Sequence, residues 1–162
     1  MAFRITALNR GEFEELFPLD DEALARRGAK RYVADSKPGY PCRVSLQDAE
    51  PGERVILLPY RHQPAASPYQ ASGPIFVREA AQTTTLPPDT VPELLRSRLL
   101  SVRAYDRHHL MTGADVVDGR ELGAFLIRTL ETEEVSYVHV HFARPGCFAC
   151  RVERERGSSR IP

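Results

Sequence analysis

The chain has 162 residues, 22 basic and 22 acidic side chains and a formal net charge of zero, with the two signs interspersed. That balance leaves no basic stripe for neutralising phosphates, so nucleic acid is not an expected partner. The longest apolar run, Val55-Ile56-Leu57-Leu58, is far short of the ~18 to 20 residues a bilayer-crossing helix needs, so no membrane association is expected. A chain of this length buries roughly 70 % of its unfolded surface as one domain and needs no disulfide staple. The three cysteines, Cys42, Cys147 and Cys150, are an odd count, and the first residues lack a charged stretch leading into an apolar run. The expectation is a cytoplasmic protein with reduced thiols.

Taken in order, Phe3 to Leu8 alternates as a strand would, and Glu12 to Phe17 reads as a short helix. Asp20 is placed to cap a second helix that Gly28 stops, with acidic residues facing the macrodipole. Alternating segments follow at Lys30 to Ala34, Cys42 to Leu46 and Arg54 to Leu58. The last two, joined by Asp48-Ala49-Glu50-Pro51-Gly52, are expected to pair antiparallel. Arg61 to Pro74 carries Pro64, Pro68, Gly73 and Pro74 and reads as an irregular loop before a strand at Ile75 to Glu79. Beyond the Thr83 to Pro88 linker come a brief helix at Val91 to Arg98 and strands at Leu99 to Tyr105 and Ala114 to Val117. His108 and His109 lie in the turn between those strands, exposed.

Asp118 followed by Glu121 makes a capping-box pattern, and Leu122, Phe125, Leu126 and Leu130 form one apolar face of a helix running to about Thr132. Strands at Val135 to Phe142 and Cys147 to Glu153 flank Arg144-Pro145-Gly146. The fold class is therefore α+β, a largely antiparallel mixed sheet of about six to eight strands with one clear packing helix and short N-terminal helices. Residues 1–153 are read as a single globular domain and residues 154–162 as a disordered tail.

The densest chemistry lies in His139-Val140-His141-Phe142-Ala143-Arg144-Pro145-Gly146-Cys147-Phe148-Ala149-Cys150-Arg151. On a strand, Tyr137, His139 and His141 share one face and Val138, Val140 and Phe142 the other. The two imidazoles are then about 7 Å apart at Cα, close enough to reach one tetrahedral ion such as zinc. A four-residue loop from Ala143 to Gly146 puts Cys150 on the histidine face and Cys147 in the core; a loop one residue shorter reverses the choice. Either register splits the Cys-x-x-Cys pair, which weakens the zinc-knuckle and dithiol-redox readings. The metal candidates are His139, His141 and Cys150, with Cys147 in its place if the register differs, and a fourth position open or filled by His62 or Cys42. The plainer alternative is hydrogen-bonded histidines with cysteines acting as small buried hydrophobes.

Cys42, beside Arg43, is a candidate nucleophile with His62 or His139 as its base, although it shares a strand face with Val44 and Leu46 as a core cysteine would. Arg43, Arg78 and Arg151 sit on or beside strands, where guanidinium groups can clamp a carboxylate or phosphate. His62, next to Gln63, joins them as a ligand-binding candidate. No P-loop, dinucleotide fingerprint, His-Glu-x-x-His or Gly-x-Ser-x-Gly occurs.

Three strings, Lys37-Pro38-Gly39-Tyr40-Pro41-Cys42-Arg43, Ser72-Gly73-Pro74-Ile75-Phe76-Val77-Arg78 and the terminal segment from His139 to Arg151, are distinctive together. Through them nearly the whole chain resembles the bacterial family called domain of unknown function 1203. The resemblance implies a stand-alone bacterial domain and brings no activity or site with it. Three functions are carried forward. The first is binding of a small anionic ligand or metal in a pocket lined by histidine, cysteine and arginine. The second is a mononuclear zinc-type hydrolase with His62 as proton shuttle. The third is a protein-interaction domain with inert cysteines and no identified protein partner.

Overall fold

A computed structural model describes residues 2–157. Its eight strands form two antiparallel sheets. The larger takes the order β1-β8-β7-β5-β6 and the smaller β2-β3-β4. In chain order the strands are β1 (Phe3–Thr6), β2 (Lys30–Val33), β3 (Arg54–Gln63), β4 (Ala71–Arg78), β5 (Leu99–Tyr105), β6 (Met111–Asp118), β7 (Tyr137–Phe142) and β8 (Phe148–Arg154). The α+β expectation holds, with the strands divided between two sheets.

The helices follow their local signals. Asp20 caps α1 (Asp21–Arg26) by accepting from the Ala23 amide at 2.8 Å, and Gly28 ends the turn at φ +70°. Residues 10–16 form two 3-10 turns in place of the expected short helix. A brief α2 (Glu93–Arg96) precedes β5. Asp118 accepts from the Arg120 amide, and a 3-10 turn leads into α3 (Leu122–Glu131), whose Leu122, Leu126 and Leu130 are buried. These leucines pack on Leu100, Val102, Val138, Val140, Cys150 and Val152, so one face of the larger sheet builds the main core.

Three further expectations fail. Cys42 to Leu46 is a tight turn, not a strand paired with Arg54 to Leu58: the Cys42 amide donates to the Gln47 carbonyl at 3.0 Å, and Leu46 takes φ +52°. Arg54 to Leu58 pairs instead with β2 and β4. Half of the supposed loop at 61–74 is strand, because β3 runs on to Gln63 and β4 begins at Ala71. Pro64 and Pro68 fall in the loop that remains, and Pro74 is tolerated because β2 leaves β3 at Leu57, so that Pro74 and the facing Pro59 lie where only two strands remain. The chain also stays in the fold beyond 153: Arg154 pairs with Phe3, and Glu155 receives Arg4 at 2.6 and 2.9 Å. The rest of the expected tail, 158–162, lies outside the described residues.

The two sheets meet on the side of the larger one away from α3. All six residues of β7 are buried, so its histidine face is covered rather than open to solvent. The end of β3 provides the cover, with Tyr60 and His62 against Phe148. Arg43 is wedged at the same seam, its backbone bonded to Phe76 of one sheet and to Leu8, which follows β1 of the other.

Candidate functional site

Two clusters of polar side chains lie at this seam. The first joins His62 from β3 to His139 and His141 from β7. His62 is 4.9 Å from His141 between ring centres, His139 is 6.3 Å from His62, and the two β7 rings are 6.4 Å apart. His141 donates from Nδ1 to the Gly146 carbonyl at 3.1 Å, which leaves Nε2 to face Arg103 Nη1 at 3.4 Å. The Nδ1 atoms of His62 and His139 are buried with no protein partner. Burial holds all three imidazoles neutral: it lowers the pKa of His62, with Arg103 adding to the effect, and pushes His139 down to about 3 and His141 down to about 4. Among the described residues no carboxylate bonds to any of them; the charges that act on them are one another's and those of Arg103, Arg151 and Arg43.

Zinc held tetrahedrally by three imidazoles at its usual bond length sets their ring centres roughly 5 Å apart. The His62–His141 pair matches that spacing, and both distances to His139 exceed it by more than 1 Å. Among the described residues no group of three or more His, Cys, Asp or Glu is placed to hold a metal ion.

Cys150 is not with the histidines. The loop from Ala143 to Gly146 is four residues long at its mouth, where the Phe142 amide donates to the Cys147 carbonyl. A bulge then inserts one residue: His141 faces Phe148, but Val140 faces Cys150. Cys150 therefore points into the core under α3, where burial pushes its thiol up to about 12. Strand parity alone would put it opposite His139.

The second cluster centres on Arg43, only 1 % exposed and first among the large buried side chains. It donates from Nε to the Phe148 carbonyl (2.7 Å), from Nη1 to the Pro41 carbonyl (2.6 Å) and from Nη2 to Cys147 Sγ (3.0 Å). Its guanidinium carbon lies 4.9 Å from the centre of the Phe142 ring, which Arg98 also approaches at 5.0 Å. Arg98 is neutralised by a two-point pair with Asp48 at 2.6 and 2.8 Å. Arg43 has no carboxylate partner among the described residues, and burial pulls its pKa below the ordinary arginine value.

Both arginines line a cavity of about 580 Å³ between the sheets. Leu57, Pro74 and Phe76 supply one wall, Leu99, Phe142 and Cys147 the other, and exposed Arg144 stands at the rim. Cys147 is half-buried here rather than in the core.

The remaining candidates sit apart. Arg78 is consumed by Glu53 at 2.6 to 3.0 Å and by Ser45, and it does not reach the cavity. Cys42 is fully buried among Val44, Ile56 and Val77, where its sulfur accepts the Arg78 and Ser45 amides. Arg151 lies over the Tyr137 ring at 3.9 Å and pairs with Glu153. Tyr137 also takes a bond from Gln63 at 2.9 Å and shares one with His109 Nδ1 at 2.8 Å, so His109 is tied to the fold rather than free.

A protein-family model described as a protein of unknown function (DUF1203) matches residues 39–154. The chain belongs to this family. No curated protein and no solved structure gives a match. The matched span contains Arg43, the histidine triplet and the whole cavity, so both clusters belong to the family domain. Sequence reasoning selected Arg43 and Cys147 but missed Arg98, Arg103, Arg144 and Phe142 as neighbours. The terminal Arg144-Pro145-Gly146-Cys147 string contained part of that signal; Arg98 carried none. No helix among the described residues is long and apolar enough to cross a membrane.

Proposed function

We propose that this DUF1203 protein binds a small organic anion, with the acid group on Arg43 and Arg144 and an apolar body against Leu57, Phe76 and Phe142. The observation that carries this reading is the buried cation. Removing a guanidinium from water costs several kcal/mol, and two backbone carbonyls with an aromatic face offset only part of that. A ligand carboxylate supplies the missing counter-charge. The cavity is of a size used for small molecules, within the usual ~300 to 1,000 Å³. Its largely apolar walls favour an aromatic or branched acid over a bare inorganic ion.

Phenylacetate, its uncharged amide and inorganic phosphate test this in a thermal-shift titration. Phenylacetate should raise Tm saturably and the amide should not; a smaller response to phosphate would report the need for an apolar body. Arg144→Ala, a change at an exposed residue, should weaken the phenylacetate response. Equal responses to acid and amide, or none to either, would overturn the reading.

The histidine triplet gives a zinc-dependent hydrolase less support, because His139 stands too far from the other two rings and Cys150 faces the opposite side of the sheet.

A further inference from the structure

We propose that Cys147 is a nucleophilic thiol that bonds to an electrophilic carbon on the acid bound in the cavity. This rests on the anion-binding reading and names the ligand class more closely: a small organic acid with a soft electrophilic carbon near its carboxylate.

The three thiols are sharply unequal. Cys42 and Cys150 are both 0 % exposed, the first capped by two backbone amides and the second deep under α3. Cys147 lines the cavity and is half-buried, so of the three cysteines it is the one beside a ligand held there. Arg43 Nη2 faces that sulfur at 3.0 Å, so the thiol stands directly beside the cation that receives the acid. Two further observations at the same place point to a ligand. One is the cavity itself. The other is that Arg43, only 1 % exposed, uses three of the five N–H donors a guanidinium carries, while the other two have no partner among the described residues.

The reacting geometry follows from shared walls. Arg43, Arg144 and Cys147 all border one cavity, and Gly146 at φ +81° turns the chain so that Arg144 and Cys147 both reach it. An acid held by the guanidinium groups brings a carbon only a few bonds from its carboxylate against Sγ. With a conjugated unsaturated acid, the Sγ anion forms a C–S bond at the β carbon. The π pair then moves to the α carbon, which takes a proton from solvent. Nothing is oxidised or reduced overall, and no co-reactant is needed.

Alkylation of the folded full chain by iodoacetate and by iodoacetamide, read by peptide mass spectrometry, tests the proposal. Here the C–S bond forms as the C–I bond breaks, and iodide leaves with the electron pair. A free thiol in solution reacts faster with the neutral amide than with the anion. The cavity should invert that order at Cys147, with iodoacetate ahead by about tenfold through electrostatic attraction, while Cys42 and Cys150 stay unlabelled. Arg144→Ala should shrink the inversion. Labelling of Cys147 no faster than in the urea-unfolded chain, or iodoacetamide ahead as for a free thiol, overturns the proposal. If phenylacetate still raises Tm in that case, the anion-binding reading stands without the nucleophile; if it does not, both fail.

Discussion

Arg43 and the histidine triplet solve opposite problems at one seam. Arg43 keeps its charge while buried, and the histidines give theirs up. The second choice has a consequence for stability. In the unfolded chain each imidazole titrates near its ordinary value of 6.5, whereas burial holds His139 near 3 and His141 near 4 in the fold. The unfolded chain therefore binds protons first as pH falls. Their contribution to stability is complete above about pH 6.5 and is lost on acidification, at about 1.4 kcal/mol per pH unit for each histidine. Denaturant melts between pH 6.5 and 4.5 should show this slope, and His139→Phe should remove one proton's share of it. A flat profile over that range would contradict the burial of neutral imidazoles. The pairing of His139 with His141 on one face was legible from the two-residue period of a strand. His62 was a candidate partner for them from its residue type, but its place on a strand was not legible, because the prolines around it disguised that strand.

Individual elements were legible where their stabilising contacts are local. The cap at Asp20 and the leucine stripe of α3 show in sequence because they depend on residues a few positions apart. The turn at 42–47 and the bulge between β7 and β8 depend on distant partners, so alternation alone gave a false strand in one case and the wrong side for Cys150 in the other. The junction of α2 with the turn before α3 is equally silent in sequence. A Cβ built on Gly119 would stand 1.8 Å from the Leu95 carbonyl oxygen and 2.8 Å from that of Arg98. Gly119→Ala must push these segments apart and should cost about 3 kcal/mol or more, seen as a lowered midpoint in urea. An unchanged midpoint would show that the contact yields freely. Because Arg98 borders the cavity, the variant should also weaken the phenylacetate response.

At the scale of the whole molecule, the antiparallel α+β class could be read from strand and helix signals, but the division into two sheets could not. Pairings such as Phe3 with Arg154 leave no local trace. That division creates the cavity, since each sheet contributes one wall and Arg43 bonds to both. A ligand that neutralises Arg43 therefore ties the sheets together. The most direct measurement is the side-chain Nε–Hε NMR signal of Arg43 during titration with phenylacetate. Its Nε donates to the buried Phe148 carbonyl, so the signal should be protected from exchange. It should shift saturably with added acid, while those of Arg78 and Arg151, already paired with Glu53 and Glu153, stay in place. An unmoved Arg43 signal, or shifts confined to exposed arginines, would contradict anion binding in the cavity.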